Sequence, residues 1–327
     1  MKETNMTVLK KKSDLVRLNV FLQESGVASR RKADEMIEAR RISVNGKIID
    51  VLGSKIDVLS KIAVDGKEIK NIPAKITYIF HKPANTITSR SDEEGRPIIF
   101  DLKGLKKLPQ NVQAVGRLDF KTEGLLILTN DGDLSLALTH PRYSVEKTYN
   151  VLISTNIALE EIEKLRKGIE LEDGIAKPLS VKTLSKQKLG NSQGVWLEII
   201  VTEGRNRLVR RMLEALGLRV LRLVRIAIGY IRLPTNLEQG KIRPVTAVER
   251  KYLSDLKSNM EQEIKKNKKV AVMMNKSLKK KSTKRVRKEE YDRTKTGRSI
   301  DLGRKEKERK IEKENRIKKF QTKNSPL

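Results

Sequence analysis

The sequence contains no cysteine and only two histidines, His81 and His140. Without cysteine there is no disulfide, no thiolate nucleophile and no cysteine-ligated metal, and this composition suits a reducing cytoplasm. Two isolated histidines are weak evidence for a metal site, and the proline after His140 predicts a helix end or a surface position. We therefore expect no bound metal and a cytoplasmic location.

Long apolar segments and aromatic residues are also scarce. No run of 18 apolar residues occurs, so no membrane-spanning helix is predicted. Residues 1–16 are polar, lack the apolar core of a secretory signal, and are expected to form a flexible N-terminus. Aromatic residues make up 4% of the chain, which disfavours the aromatic-rich amphipathic helices that bind membrane surfaces.

Positive charge is abundant. The chain carries 71 Lys and Arg against 41 Asp and Glu, a net charge of +30. This excess predicts an anionic polymer as partner, and the alternative, an anionic membrane surface, lacks the aromatic residues it would need. Residues 251–327 hold 27 of the basic and 11 of the acidic residues. They are predicted to form a disordered basic tail that adds affinity for nucleic acid, or alternatively only solubility.

A chain of 327 residues can form more than one domain, and residues 17–75 have the pattern of a small first one. Apolar residues share one face of a first helix that Gly26 ends, and Ser29 can cap a second helix. The dipeptides Asn-Gly at 45–46 and Asp-Gly at 65–66 then predict two β-hairpins.

This first segment resembles the S4 RNA-binding domain. It contains the patterns Arg-Leu-x-x-x-Leu, Gly-x-x-Ser-Arg-Arg-x-Ala and Val-Asn-Gly in that order. The resemblance implies a basic surface at the second helix and the following turn, where backbone amides and cations suit phosphate. A solvated charged helix face is the alternative. The predicted RNA-binding residues are Ser29, Arg30, Arg31, Lys32, Arg40 and Arg41.

Residues 76–250 form the second predicted domain, and its most informative segment is 115–132. Gly116 favours a turn around Arg117 and Asp119, and the apolar run 125–128 predicts a buried strand. An aspartate in such a loop is more often a turn former or a helix cap than a nucleophile. The loop taken alone therefore leaves both interpretations open.

The acidic segment Asn130-Asp-Gly-Asp133 has two interpretations as well. It could hold a metal ion, but no further oxygen ligands follow at the spacing of a calcium loop. A turn that caps a helix at 134–139 is the favoured interpretation.

Three segments together resemble the pseudouridine synthases. The resemblance is to one branch of this family, which comprises the small-subunit enzyme A and the large-subunit enzymes B, E and F, each acting on ribosomal RNA. Residues 116–126 match the motif Gly-Arg-Leu-Asp-x-x-Thr-x-Gly-Leu-Leu, 147–149 match Lys-x-Tyr, and 204–217 match the third motif. Asn85 stands where the family has glycine in a turn, and Leu208 where it has glutamine. With the S4 pattern, the resemblance covers about residues 17–250.

The resemblance implies an α+β fold with a mixed, mostly antiparallel sheet, and a reaction that needs no cofactor. Asp119 is implied to attack or stabilise C1′ of the target uridine. Tyr149 is implied to stack on the flipped base, although a half-buried strand tyrosine is the alternative, and Arg210 to pair with the catalytic carboxylate. The implied substrate-binding residues are Arg117, which fills the gap left by the flipped base, and Lys147, Arg205, Arg207 and Arg211.

We therefore expect a site-specific ribosomal RNA pseudouridine synthase, acting as a monomer on pre-ribosomal particles and not on membranes. The S4 segment and the loop 89–101 favour the large-subunit RNA; the small-subunit RNA is the alternative. A non-catalytic ribosome-assembly factor that binds RNA would not need Asp119, Tyr149 and Arg210. An aspartate-nucleophile phosphatase around residues 131–133 lacks a supporting lysine and metal constellation.

Overall fold

The computed structural model describes residues 15–69, 73–190, 192–267, 274 and 303–314. The flexible N-terminus predicted for residues 1–16 therefore lies almost wholly outside the described residues. The chain divides into two compact units, Met1–Met260 and Glu261–Leu327. No helix among the described residues is long and apolar enough to cross a membrane.

The N-terminal module, residues 15–69, has the two helices and the hairpins that the sequence predicts. The Ser29 side chain caps the second helix by accepting a hydrogen bond from the Lys32 amide at 3.3 Å. Asn45 and Asp65 have φ of 50° and 48°, as tight hairpin turns require. The elements are β1 Leu15–Arg17, α1 Leu18–Glu24, α2 Arg30–Glu38, β2 Ile42–Val44, β3 Lys47–Ile48, β4 Lys55–Asp57, β5 Ile62–Val64 and β6 Lys67–Glu68.

A large sheet forms the centre of the first unit and has nine strands among the described residues. Its order is β13-β14-β10-β15-β9-β7-β17, with β8 beside β9 and β16 beside β15. The strands are β7 Thr77–Lys82, β8 Gln113–Ala114, β9 Glu123–Thr129, β10 Lys147–Ile153, β11 Ile169–Leu171, β12 Gly174–Ala176, β13 Ser180–Leu189, β14 Ser192–Val201, β15 Val220–Ile228, β16 Ile231–Arg232 and β17 Ile242–Pro244. In this list β11 and β12 form a separate hairpin.

Only the pairing of β9 with β15 is parallel in the described part of this sheet. The predicted α+β fold with a mixed, mostly antiparallel sheet is thereby confirmed. Gly124 makes the parallel pairing possible, because a Cβ atom there would lie 2.3 Å from the carbonyl oxygen of Arg225. The segment that follows the Arg-Leu-Asp loop is thus locked into the middle of the sheet.

Helices cover both faces of the sheet and close its apolar cores. They are α3 Gly132–Thr139, α4 Leu159–Lys167 and α5 Leu208–Glu214, with short 3-10 turns at Ile99–Asp101 and Pro141–Tyr143. Helix α5 has an apolar stripe, and its residues Val209, Met212 and Leu213 are buried in one core with residues of β10 and β14. Asn85 adopts a φ of 58°, so the turn in which it replaces glycine is kept.

The structure corrects the start of the predicted tail. Residues 247–260 are helical, and Leu253 and Met260 are buried. Apolar residues at 252, 253, 256 and 260 have helical spacing, a pattern that the high local charge concealed. In the second unit, residues 261–267 and 303–314 are helical, and most of the predicted tail lies outside the described residues.

Candidate active site

The Arg-Leu-Asp loop borders a cavity of about 300 Å³ in the first unit. The loop precedes β9, and Gly116, with a φ of 69°, turns it towards α3. Asp119 is half-buried and lines the cavity, whereas Leu118 beside it is buried in a core. The Asp119 carboxylate is therefore held at the wall of an open cavity, because Leu118 before it and strand β9 after it are buried in the protein interior.

Lys82, at the end of β7, holds this loop from inside. Its side chain is fully buried, and its Nζ atom donates to the carbonyl oxygens of Thr122 at 2.8 Å, Asp119 at 3.3 Å and Phe120 at 3.4 Å, and to that of Pro83 at 3.0 Å. Burial lowers the pKa of Lys82 to about 8, and the Asp119 carboxylate opposes this shift. Lys82 thus fixes the loop backbone.

We expect Lys82→Met to destabilise the protein by about 3 kcal/mol, because it leaves four carbonyl groups without their donor. Urea unfolding at neutral pH measures the effect. Lys121→Met removes an exposed lysine from the same loop and is the control, with an expected change within about 0.5 kcal/mol. Equal stabilities for the two variants would show that Lys82 does not fix the loop.

Two of the predicted residues lie on β10 and meet Asp119 at the cavity. Tyr149 is half-buried and lines the cavity, as does the buried Lys147. The Lys147 Nζ atom donates to the carbonyl oxygen of Thr202 at 2.8 Å. Burial, and then repulsion from Arg225, lowers the pKa of Lys147 to about 8. An aromatic ring, a cation and a carboxylate therefore share one small space.

Arg205 and Arg211, two of the predicted substrate-binding residues, have protein partners in this structure. Both bind the carboxylate of Asp173, at 3.0 Å and 2.9 Å, in the turn between β11 and β12. Arg205 also pairs with Glu203 and donates to three carbonyl groups of that turn. Of these two arginines, Arg205 lines the cavity and Arg211 does not. The two arginines tie the hairpin to the cavity wall, a contact between segments more than 30 residues apart that spacing does not indicate.

Arg210 is buried on α5 but does not form the predicted ion pair with Asp119. Its Nη2 atom donates to the carbonyl oxygen of Lys121 at 3.2 Å, two residues beyond the carboxylate. Burial lowers the pKa of Arg210, as does Arg207, and the charge of Asp119 opposes this shift. Arg210 therefore lies in the field of Asp119 and is anchored to the backbone of the loop that carries it.

Two further predicted residues present positive charge at the cavity. Arg117 is exposed and has no ion pair in the described part of the chain. Arg207 starts α5 with a left-handed backbone, at a φ of 47°, and reaches Glu214 at 3.0 Å. Both line the cavity, so its rim is basic, and the two acidic residues that line it are Asp119 and Glu203.

The predicted RNA-binding residues of the N-terminal module differ in how far their charges are neutralised. Arg41 is paired with Asp65, Lys32 with Glu35, and Arg40 more loosely with Asp50 at 3.8 Å. Arg30 donates to Gln23 and lies against Gly132 of the second predicted domain. Arg31 is exposed and has no hydrogen-bonded or charged partner among the described residues, and none of the module's predicted residues lines the cavity.

The acidic segment 130–133 is a helix cap. Asp131 caps α3 by accepting hydrogen bonds from the amides of Asp133 and Leu134, and its carboxylate pairs with Lys257. In the residues that the structure describes, no group of His, Asp and Glu side chains is arranged to hold a metal ion. The capping interpretation of the segment is thereby confirmed.

Lys82 and Arg225 are the residues of this region that sequence reasoning left without a role. Lys82 follows a strand and looks like a solvated lysine, and Arg225 lies in an apolar strand where it could face either side. The burial of both charged side chains indicates that they have a role. This burial can be recognised only when β7, β9 and β15 are assembled into the sheet.

Comparison with known proteins shows the family to which this chain belongs. The sequence profile described as RNA pseudouridylate synthase matches residues 76–215, and the S4 domain profile matches residues 16–58. An uncharacterized RNA pseudouridine synthase of Aquifex aeolicus is 43% identical over 231 residues, covering 70% of this chain and 89% of that protein. The ribosomal large subunit pseudouridine synthase B of Bacillus subtilis is 38% identical over 240 residues, covering 73% and 96%.

A solved structure gives the same result at the level of the fold. The crystal structure of a pseudouridylate synthase superposes with a TM-score of 0.50 at 28% identity, covering 73% of this chain and 99% of the other. The profile matches, the two relatives and the shared architecture together make this chain a member of the RNA pseudouridylate synthase family, with an S4 domain ahead of the synthase domain.

Proposed function

We propose that this enzyme isomerises a uridine of large-subunit ribosomal RNA to pseudouridine, with Asp119 as the catalytic carboxylate. The observation that carries the proposal is the meeting of Asp119, Tyr149 and Lys147 at one cavity with a basic rim. The large-subunit substrate is supported by relatives such as that of Bacillus subtilis, whose name gives the large ribosomal subunit. An RNA partner is in keeping with the S4 domain and the net charge of +30.

The chemistry required of the site is a glycosyl transfer within one nucleotide. The bond between N1 of uracil and C1′ of ribose breaks, the base turns, and C5 bonds to C1′. A carboxylate at C1′ can form and break an ester or stabilise the electron-poor sugar. The backbone around Asp119 is held by the Thr88 hydroxyl at Leu118 and by Arg210 at Lys121, which suits a group that must act at one carbon atom.

The remaining cavity residues have complementary roles in this proposal. Base flipping out of a folded RNA costs about a few kcal/mol, and the exposed Arg117 can occupy the gap. Tyr149 offers a ring face to the flipped base. In this proposal the enzyme acts as a monomer on ribosomal RNA in pre-ribosomal particles in the cytoplasm.

The test is isomerisation of a large-subunit ribosomal RNA fragment in vitro, read by chemical mapping of pseudouridine. We expect one uridine to be converted without any added metal or cofactor. A matched small-subunit RNA is the control for the choice of substrate. Conversion of the small-subunit RNA alone would contradict the substrate, and conversion of neither would contradict the function.

The N-terminal module supplies a prediction about affinity. Arg31→Ala should weaken RNA binding several-fold, because it removes an unpaired cation, and should leave turnover at saturating RNA unchanged. Arg41→Ala is the matched control, since Arg41 is already neutralised by Asp65, and its effect should be smaller. Binding titrations and single-turnover rates measure both. A loss of maximal turnover in Arg31→Ala would place this residue in the chemistry or the fold.

The basic C-terminal segment predicts a salt effect. Residues 268–327 carry 23 Lys and Arg against eight Asp and Glu, and their removal spares the buried residues Leu253 and Met260. Each phosphate contacted contributes a slope of about −0.7 to −0.9 to log affinity against log salt, so contact with about four phosphates gives a slope of about −3. We expect the truncated protein to bind with a flatter salt dependence and to modify the same uridine.

Titrations at several salt concentrations, together with pseudouridine mapping, measure both parts of this prediction. Equal slopes for the two proteins would leave the segment with a solubilising role. A changed modification site would show that the segment helps to choose the uridine.

A further inference from the structure

Arg225 is a buried cation for which the fold alone gives little reason. It lies on β15 in the middle of the sheet and is 5% exposed. Its Nε atom donates to the carbonyl oxygen of Leu125 at 2.9 Å, and its Nη2 atom is buried without a partner. In the described part of the chain it forms no ion pair.

Arg225 lines the same cavity as Asp119 and Tyr149. It is the cross-strand partner of Tyr149 between β15 and β10, so the guanidinium group and the phenol ring lie on neighbouring strands. Lys147 also lines the cavity, and the charge of Arg225 contributes to the lowered pKa of both Lys147 and Lys82. Positive charge is therefore concentrated beside the cavity, and Arg225 itself has no carboxylate partner among the described residues.

Burying the Arg225 guanidinium group without an ion pair destabilises the folded protein, so a functional reason for its charge is expected. The effective penalty for burying an ion is several kcal/mol, and an ion pair is the usual compensation. Glu203, the other acidic residue at the cavity, is engaged by Arg205. Arg225 is also rigidly placed, because its backbone lies against Gly124 and its Nε atom is tied to β9. A preorganised, partly unsatisfied cation is suited to a negative charge that appears during the reaction.

We propose that Arg225 stabilises the uracil anion that forms when the glycosidic bond breaks, an inference that rests on the proposed function. Heterolysis leaves the electron pair on N1, from where it delocalises over O2 and O4. The electron-deficient C1′ then either forms an ester with the Asp119 carboxylate or forms a double bond to C2′ as the 2′ proton is lost. The detached base carries one negative charge in both cases. When C5 bonds to C1′, the bond to the Asp119 carboxylate breaks in the first case, and C2′ regains its proton in the second. C5 then loses its proton and N1 gains one, so that the reaction is balanced without an oxidant or a reductant.

The first test replaces the guanidinium group. Arg225→Met should lower the single-turnover rate on a large-subunit RNA fragment by about 10²-fold. The dissociation constant for the RNA should change less than about threefold, because the residue is buried and reads no phosphate. Arg225→Lys keeps the charge and should recover part of the rate. Arg232→Met, which removes an exposed arginine from the adjacent strand β16, is the control and should react at the wild-type rate.

The second test separates charge stabilisation from a defect of structure. Fluorine at C5 of the target uridine withdraws electrons and stabilises the detached uracil anion. Stabilisation of this anion by Arg225 should then contribute less to the rate. The ratio of the wild-type to the Arg225→Met rate of base detachment should therefore be about tenfold smaller on RNA with 5-fluorouridine than on RNA with uridine. Each protein is compared with itself on the two substrates, so a smaller folded fraction cancels.

The outcomes are distinct. An unchanged ratio on the two substrates, or a wild-type rate for Arg225→Met, would overturn the role of Arg225 and leave the proposed function intact. A wild-type protein that isomerises neither ribosomal RNA would overturn the proposed function and this inference with it.

Discussion

Asp119→Asn is expected to abolish isomerisation while RNA affinity stays within about threefold of the wild type. The substitution keeps the shape of the side chain and removes the negative charge that must act at C1′. The backbone of the loop should hold, because Lys82 binds the carbonyl groups of Asp119, Phe120 and Thr122 and not the carboxylate. Single-turnover kinetics on a large-subunit ribosomal RNA fragment, with product read by pseudouridine mapping, measure the effect.

The matched control for Asp119 is Asp133→Asn. Asp133 is an exposed residue in the first turn of α3, and the capping role belongs to Asp131. Loss of one negative charge there should leave turnover unchanged. Substantial turnover by Asp119→Asn, or equal losses in the two variants, would contradict the assignment of Asp119 as the catalytic carboxylate.

Arg210→Ala is expected to lower turnover by about 10²-fold or more. The sequence suggests that this loss would come from breaking an ion pair with Asp119. In the structure Arg210 instead affects Asp119 by binding the carbonyl group of Lys121 and by its buried charge. Its removal should free the Arg-Leu-Asp loop at Lys121 and weaken the positive potential around the Asp119 carboxylate. Arg210 is in this account a positioning residue.

Arg210→Lys separates the two contributions. Lysine keeps the charge but is a poorer match for the carbonyl group, so it should restore part of the rate. A positioning role also predicts that turnover falls while the dissociation constant for RNA stays within about threefold. Arg219→Ala, an exposed arginine before β15, is the control. Unchanged turnover in Arg210→Ala would show that the loop does not depend on this anchor.

Local sequence patterns were sufficient for the parts of the molecule that depend on neighbouring residues. The Asn-Gly and Asp-Gly turns, the cap at Ser29 and the buried strand after Asp119 are all present where the sequence predicts them. In each case the cause is local, such as a positive φ, a side chain that reaches the next turn, or an apolar run.

The contacts that complete the site were not predictable in this way. The sequence places Arg205 and Arg211 among the substrate-binding residues, and it does not show that both pair with Asp173, more than 30 residues before them. Lys82 looks solvated, and only the assembled sheet buries it beneath the Arg-Leu-Asp loop. The helix 247–260 was missed because its few apolar residues lie in a highly charged segment. Such long-range pairings depend on tertiary packing, which residue spacing does not encode.

The most direct test of the central claim is a map of pseudouridine in the ribosomal RNA of cells that have the intact gene, no gene, or the gene with Asp119→Asn. We expect one uridine of the large-subunit RNA to lose its modification when the gene is absent. The wild-type gene should restore it, and the Asp119→Asn gene should not, although that protein still binds the RNA. Restoration by Asp119→Asn, or an unchanged map when the gene is absent, would contradict the account.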